Sequence, residues 1–157
     1  MAQGETLSVG NRRVLTKTVV GVTIVFLFTQ FLTGMWVNMF VSFPSTPYSG
    51  GFFGMMGAMM SLMYIGGGVL LMIHMMMGYL ILLFSLVALV AALLVGRMGV
   101  AAAGIAGFAS VVFAGVNGLL FMLSGFTDDL NSYFMAVGFL LAFTSYFAML
   151  YFIATEK

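Results

Sequence analysis

A chain of 157 residues that is 63% hydrophobic and 6% charged has too little polar surface to cover a water-soluble fold, which carries roughly 25% charged residues. A net charge of +1 gives no electrostatic basis for a nucleic-acid partner, and the absence of cysteine excludes disulfides, thiolate metal sites and cysteine nucleophiles. No Asp, Glu, Lys or Arg occurs from Thr18 to Gly96, so lipid is the solvent this sequence implies. The expected fold is an all-α integral membrane protein: a four-transmembrane-helix bundle in a single domain over 1–157, with an extra interfacial or re-entrant apolar helix between spans one and two.

The chain starts with Arg12, Arg13 and Lys17 and runs into an apolar stretch from Thr18 to Phe43. A cleavable signal has an apolar core of ~7–15 residues closed by a small-x-small pattern. This stretch is longer and lacks that close, so it reads as a first span at about 18–41. A turn-rich string follows, Phe43-Pro44-Ser45-Thr46-Pro47-Tyr48-Ser49-Gly50-Gly51. Beyond it, 52–66 is as apolar as the spans. Continuing it into the next span would give a helix of about 45 residues and ~67 Å, twice a bilayer core of ~30 Å. The segment is therefore expected to lie at the membrane surface or to re-enter it.

A second span is expected at about 67–95 and a third at about 100–123, separated by the charged turn Gly96-Arg97-Met98-Gly99. The break from Gly125 to Asn131, with Asp128 and Asp129, leads to a fourth at about 131–154. Basic residues near span ends stay on the cytoplasmic side. Four spans put Arg12, Arg13, Lys17, Arg97 and Lys157 together there, opposite Asp128 and Asp129. This predicts a multi-pass protein of the cell membrane with both termini cytoplasmic. Adjacent acids in a turn point apart, so the two aspartates read as solvated loop charge rather than a cation site.

In lipid, close backbone packing and a few polar contacts hold helices together. Ala102, Ala106, Ser110, Ala114 and Gly118 recur every four residues, with Ala103, Gly107 and Gly115 beside them. Gly138 and Ala142 offer a matching face, which predicts antiparallel pairing of spans three and four. Trp36, Phe40, Phe43 and Tyr48 read as one interfacial belt, and Tyr146, Tyr151 and Phe152 as the other.

His74 is the one histidine and the side chain within the spans most able to change charge near neutral pH. Counted from the expected span ends, His74, Asn38 and Asn117 share a layer roughly 5–11 Å below the boundary, with Gln30 and Thr33 deeper on span one. Interhelical hydrogen bonding is the simple reading of this layer. The sharper one makes His74 a haem b ligand, with Asn38 and Asn117 as orienting neighbours. The string Ile73-His74-Met75-Met76-Met77-Gly78-Tyr79 resembles the ligand helices of small four-span b-type cytochromes, with a glycine four residues after the histidine. That family places paired histidines on facing helices, and here the second is absent.

The chain also holds 16 methionines, many four residues apart. Met72 and Met76 with His74 form the candidate metal set, since thioethers on one helix face can bind Cu(I); methionine as an adaptable apolar filler is the simpler reading. The spans carry no carboxylate, Lys or Arg for proton coupling, and no catalytic constellation is complete. The resulting expectation is a small polytopic subunit of a larger membrane complex, of respiratory or electron-transfer type, with haem b at His74 as its candidate cofactor. Its partners would be the lipid bilayer and other membrane subunits or a homo-oligomer. The alternatives are a small channel or carrier for a neutral solute or Cu(I), lined by Gln30, Asn38, His74, Asn117 and the methionine faces, and a purely structural membrane-assembly protein.

Overall fold

The computed structural model describes residues 9–41 and 68–155, with the isolated positions 54, 57 and 64. The described residues form no strand. They fold into four helices: α1 (Val9–Phe40), α2 (Gly68–Val95), α3 (Met98–Leu123) and α4 (Asp129–Thr155), each long and apolar enough to cross a membrane. The expected interfacial or re-entrant segment at about 52–66 lies outside the described residues.

Helix boundaries differ from the hydrophobic spans in a systematic way. α1 begins at Val9 instead of Thr18, because Arg12, Arg13 and Lys17 are good helix formers with no breaker among them. Hydropathy marks where the hydrocarbon starts, whereas the helix continues into the polar layer. α4 begins at Asp129, capped by the preceding residue: Asp128 Oδ1 accepts the Leu130 and Asn131 N–H groups at 3.1 and 3.4 Å, and its Oδ2 accepts from Asn131 Nδ2 at 2.7 Å. One half of the acidic pair is therefore a helix cap. The α3–α4 turn passes through Gly125 and Phe126, both left-handed at φ 71° and 62°. A phenylalanine there is strained; its ring is held edge-to-face on Phe121 at 5.5 Å.

Consecutive helices are antiparallel neighbours, and α4 closes back onto α1. The interface between α3 and α4 is the most extensive, followed by that between α1 and α2, so the bundle is two hairpins laid together. Arg12 and Arg97 mark one end, called here the basic end, and Asp128 and Asp129 the other.

Within the first hairpin, both facing stripes alternate steps of four and three. On α1 the stripe is Thr16, Val20, Thr23, Leu27, Gln30, Gly34 and Val37; on α2 it is Leu71, His74, Gly78, Ile81, Ser85, Ala88 and Ala92. This 3.5-residue repeat is the seam of a left-handed helix pair. The threonines on α1 satisfy themselves in oil: Thr16 and Thr23 donate to the carbonyls of Arg12 and Val19 at 2.7 and 2.9 Å.

The second hairpin is drawn tight by glycines. A Cβ on Gly138 would stand 2.9 Å from both the Cβ and the backbone N of Ala114, and one on Gly107 would stand 2.9 Å from the Tyr146 ring. The pairing of spans three and four holds, but the seam is rotated from the expected ladder. Ala102 and Ala106 are exposed, and Ser110, Ala114 and Gly118 half-buried. The buried face runs instead through Val100, Ala103, Gly104, Gly107 and Val111. Steps of four drift around a helix of 3.6 residues per turn, and mixed steps of three and four are needed to stay on one side.

Tyr146 is likewise no interfacial anchor. It is fully buried in the core with Val20, Ala88, Val100 and Met149, whereas Trp36, Phe40 and Tyr151 are exposed. In the basic-end half the hairpins meet closely, since a Cβ on Gly104 would come 2.7 Å from that of Ala92 across the α2–α3 boundary.

Candidate intramembrane site

His74 reaches α1 with both ring nitrogens. Nε2 lies 3.1 Å from Gln30 Nε2 and Nδ1 lies 3.1 Å from Thr33 Oγ1. In the tautomer protonated at Nδ1, Thr33 Oγ1, whose own proton faces the carbonyls of Thr29 and Gln30 at 3.0 and 3.1 Å, accepts from Nδ1–H, and Nε2 accepts from the Gln30 amide N–H. The two contacts tie α1 to α2 at one level. Gly34 makes the approach possible: a Cβ there would stand 2.8 Å from His74 Cε1. Gln30 Oε1 is buried with no partner among the described residues, a carbonyl left over once the amide N–H serves the ring.

The structure does not gather the expected polar layer. Asn38 is exposed. Asn117 is buried but donates within its own helix to the Phe113 carbonyl at 2.8 Å. The groups that do meet His74 are Gln30 and Thr33, which the depth count had placed below it. With α1 ending at Phe40 and α2 starting at Gly68, Thr33 lies seven residues from one end and His74 six from the other, at ~10 Å depth in each case. Depth alone did not single out Thr33, since Asn117 lies six residues from the end of α3, and the stripe Gln30-Thr33-Gly34-Val37 supplied the facing direction. Gly34 carried no chemical signal, because its part is to be small.

The residues do not fit haem ligation through His74. Each nitrogen already has a partner on α1, the ring edge lies against the Gly34 backbone, and binding iron would require breaking one bond and withdrawing the ring from the seam. The thioether set does not converge either. Met72 is half-buried and Met76 is 59% exposed. Each stands two residues from His74, and two residues turn a helix by ~200°, so the sulfurs and the imidazole face opposite ways. Among the described residues no cluster of His, Cys, Asp or Glu could hold a metal ion.

Beside the His74 clasp, in the acidic-end half, the two hairpins part. The cavity between them is about 680 Å³ and is walled by all four helices. Its walls are aliphatic, aromatic and thioether, with polar groups supplied by Gln30, Asn38, His74 and Ser132. Gly34, Gly78, Gly115 and Gly118 line it, and a Cβ on Gly115 would meet nothing within 4 Å. Along α3 the cleft runs from Val111 to Met122, ~16 Å at 1.5 Å per residue, or about half of a bilayer core. Phe31 stacked on Phe139 at 5.1 Å bridges α1 to α4 at its edge.

No known family, curated protein or solved structure matches this chain. The reading of the site therefore rests on its own geometry: a polar clasp that uses both imidazole nitrogens, and an adjoining apolar cleft at hydrocarbon depth. Such a cleft can take up an apolar molecule, and its few polar groups can orient one end of it.

Proposed function

We propose that this chain is a small polytopic subunit of a membrane assembly, lying in the cell membrane with its basic end cytoplasmic, and that it holds one lipid-soluble molecule in the cleft between its two helical hairpins. The carrying observation is the cleft itself. Its ~680 Å³ falls within the roughly 300–1,000 Å³ of ligand sites, and its length suits one acyl or isoprenoid chain confined to a single leaflet. His74 and Gln30 serve as the rigid wall against which that chain lies. The orientation is supported by the described cations: Arg12, Arg13, Lys17 and Arg97 share one end, and Asp128 and Asp129 occupy the other.

The test is photolabelling of the protein in nanodiscs with a diazirine-bearing fatty acid, followed by mapping of the adducts. Labelling is expected to concentrate on cleft residues such as Val112 and Met135. Gly115→Leu, which extends a side chain into open space, should reduce it several-fold while the helices remain folded. Labelling distributed equally over outward positions such as Leu83 and Leu140, and unaffected by Gly115→Leu, would reject the proposal.

A further inference from the structure

A second concavity lies on the outside of the first hairpin, near the basic end, and is independent of the cleft. Arg12, Leu15 and Thr16 of α1 and Leu86, Val87, Val90, Ala91 and Leu94 of α2 enclose about 590 Å³. Leu15, Leu86, Val87, Val90 and Leu94 are each exposed on the bundle surface, so the groove opens toward the bilayer and not into the core. From Leu86 to Leu94 it runs ~12 Å along α2.

The groove is chemically two-ended. Its wall is aliphatic apart from Thr16, whose hydroxyl is turned back to the Arg12 carbonyl. At its mouth stands the Arg12 guanidinium, whose Nη1 donates to the Leu94 carbonyl at 3.5 Å. That contact places the cation at the level where α2 ends. Arg97 follows three residues after Leu94, on the adjoining turn. A guanidinium has five N–H donors in a fork that matches phosphate oxygens.

From this juxtaposition we infer that the groove is a binding site for an anionic phospholipid, with an acyl chain along Leu86, Val87, Val90 and Leu94 and its phosphate on Arg12. A membrane phospholipid is the occupant that offers both parts at this depth; a free phosphate has no use for the aliphatic wall. Basic residues beside gaps between spanning helices recognise anionic headgroups in this way, with roughly a fivefold gain in local affinity per cation.

The experiment reconstitutes the full chain in phosphatidylcholine bilayers. It measures by electron paramagnetic resonance the immobilised fraction of trace spin-labelled phosphatidylglycerol against spin-labelled phosphatidylcholine. The wild-type protein is expected to prefer phosphatidylglycerol about fivefold. Arg12→Gln should remove the preference. Val90→Trp, which fills the groove and keeps the charge, should also remove it. Lys17→Gln, which lowers the same end's charge outside the groove, should retain it, and circular dichroism of each variant checks that the helices persist. Equal losses in Arg12→Gln and Lys17→Gln would mean diffuse surface charge and overturn the site. So would a preference surviving Val90→Trp, or exclusion of both lipids by a second copy of the chain.

Discussion

Replacing Gly34 with alanine tests the His74 clasp without touching any polar group. The new Cβ would stand 2.8 Å from His74 Cε1, where ordinary contact begins near 3.4 Å, so the ring must withdraw by about 0.6 Å. Both of its hydrogen bonds are already 3.1 Å long and would stretch beyond useful range. Interhelical hydrogen bonds in membranes are worth ~0.6–2 kcal/mol each, so losing two removes roughly 1–4 kcal/mol. The greater helix propensity of alanine returns up to about 1 kcal/mol, which after the full offset leaves a net destabilisation of roughly 0–3 kcal/mol. Gly21→Ala, on the same helix with nothing within 4 Å, is the control and should be neutral or slightly stabilising. The assay is unfolding in bicelles by steric trapping, run as a double-mutant cycle with His74→Ala. With the ring gone, Gly34→Ala should behave like Gly21→Ala. If Gly34→Ala destabilises equally with and without the imidazole, the reasoning is wrong.

Two further substitutions test the second hairpin by the same unfolding assay. Gly138→Ala places a Cβ 2.9 Å from the Ala114 backbone N, which cannot rotate away, so α3 and α4 must separate at a cost of about 1–3 kcal/mol; Gly115→Ala, facing open space, should change little, and equal effects would discount the close approach. The Tyr146 hydroxyl is directed toward Ser85 but makes no hydrogen bond of good geometry, and the Ser85 hydroxyl donates to Leu82 at 2.8 Å. Removing a buried unpaired hydroxyl relieves desolvation, so Tyr146→Phe is expected to leave stability unchanged or raise it by up to about 1 kcal/mol. A clear loss would show that the phenol is bonded after all.

The sequence made the number of spanning helices legible, because an uncharged run from Thr18 to Gly96 and well-marked breaks admit few other arrangements. Helix ends were less legible, since Arg12 and Lys17 are polar to a hydropathy reading and helical to the backbone. The pairing of α3 with α4 could be read from small residues, but not its face. Ala102 and Ala106 are as small as Ala103 and Gly107, and only the partner decides which side is used. At the site, His74 was evident as a rare polar residue in oil. Its neighbours were misread because depth alone does not give facing: Asn117 lies at the same depth but bonds within its own helix, whereas Thr33 faces the ring. The cleft left almost no trace in the sequence: Gly115 and Gly118 read as packing residues, and empty space carries no residue code.

The contrast between the two ends of the bundle has a consequence for traffic. Toward the basic end, Tyr146 fills the axis against Gly107, and Ala92 meets Gly104 with no room for a methyl group between them. Under the reading proposed above, an occupant of the cleft would meet this closely packed half beside Tyr146 and would exchange with the half of the membrane on the acidic-end side.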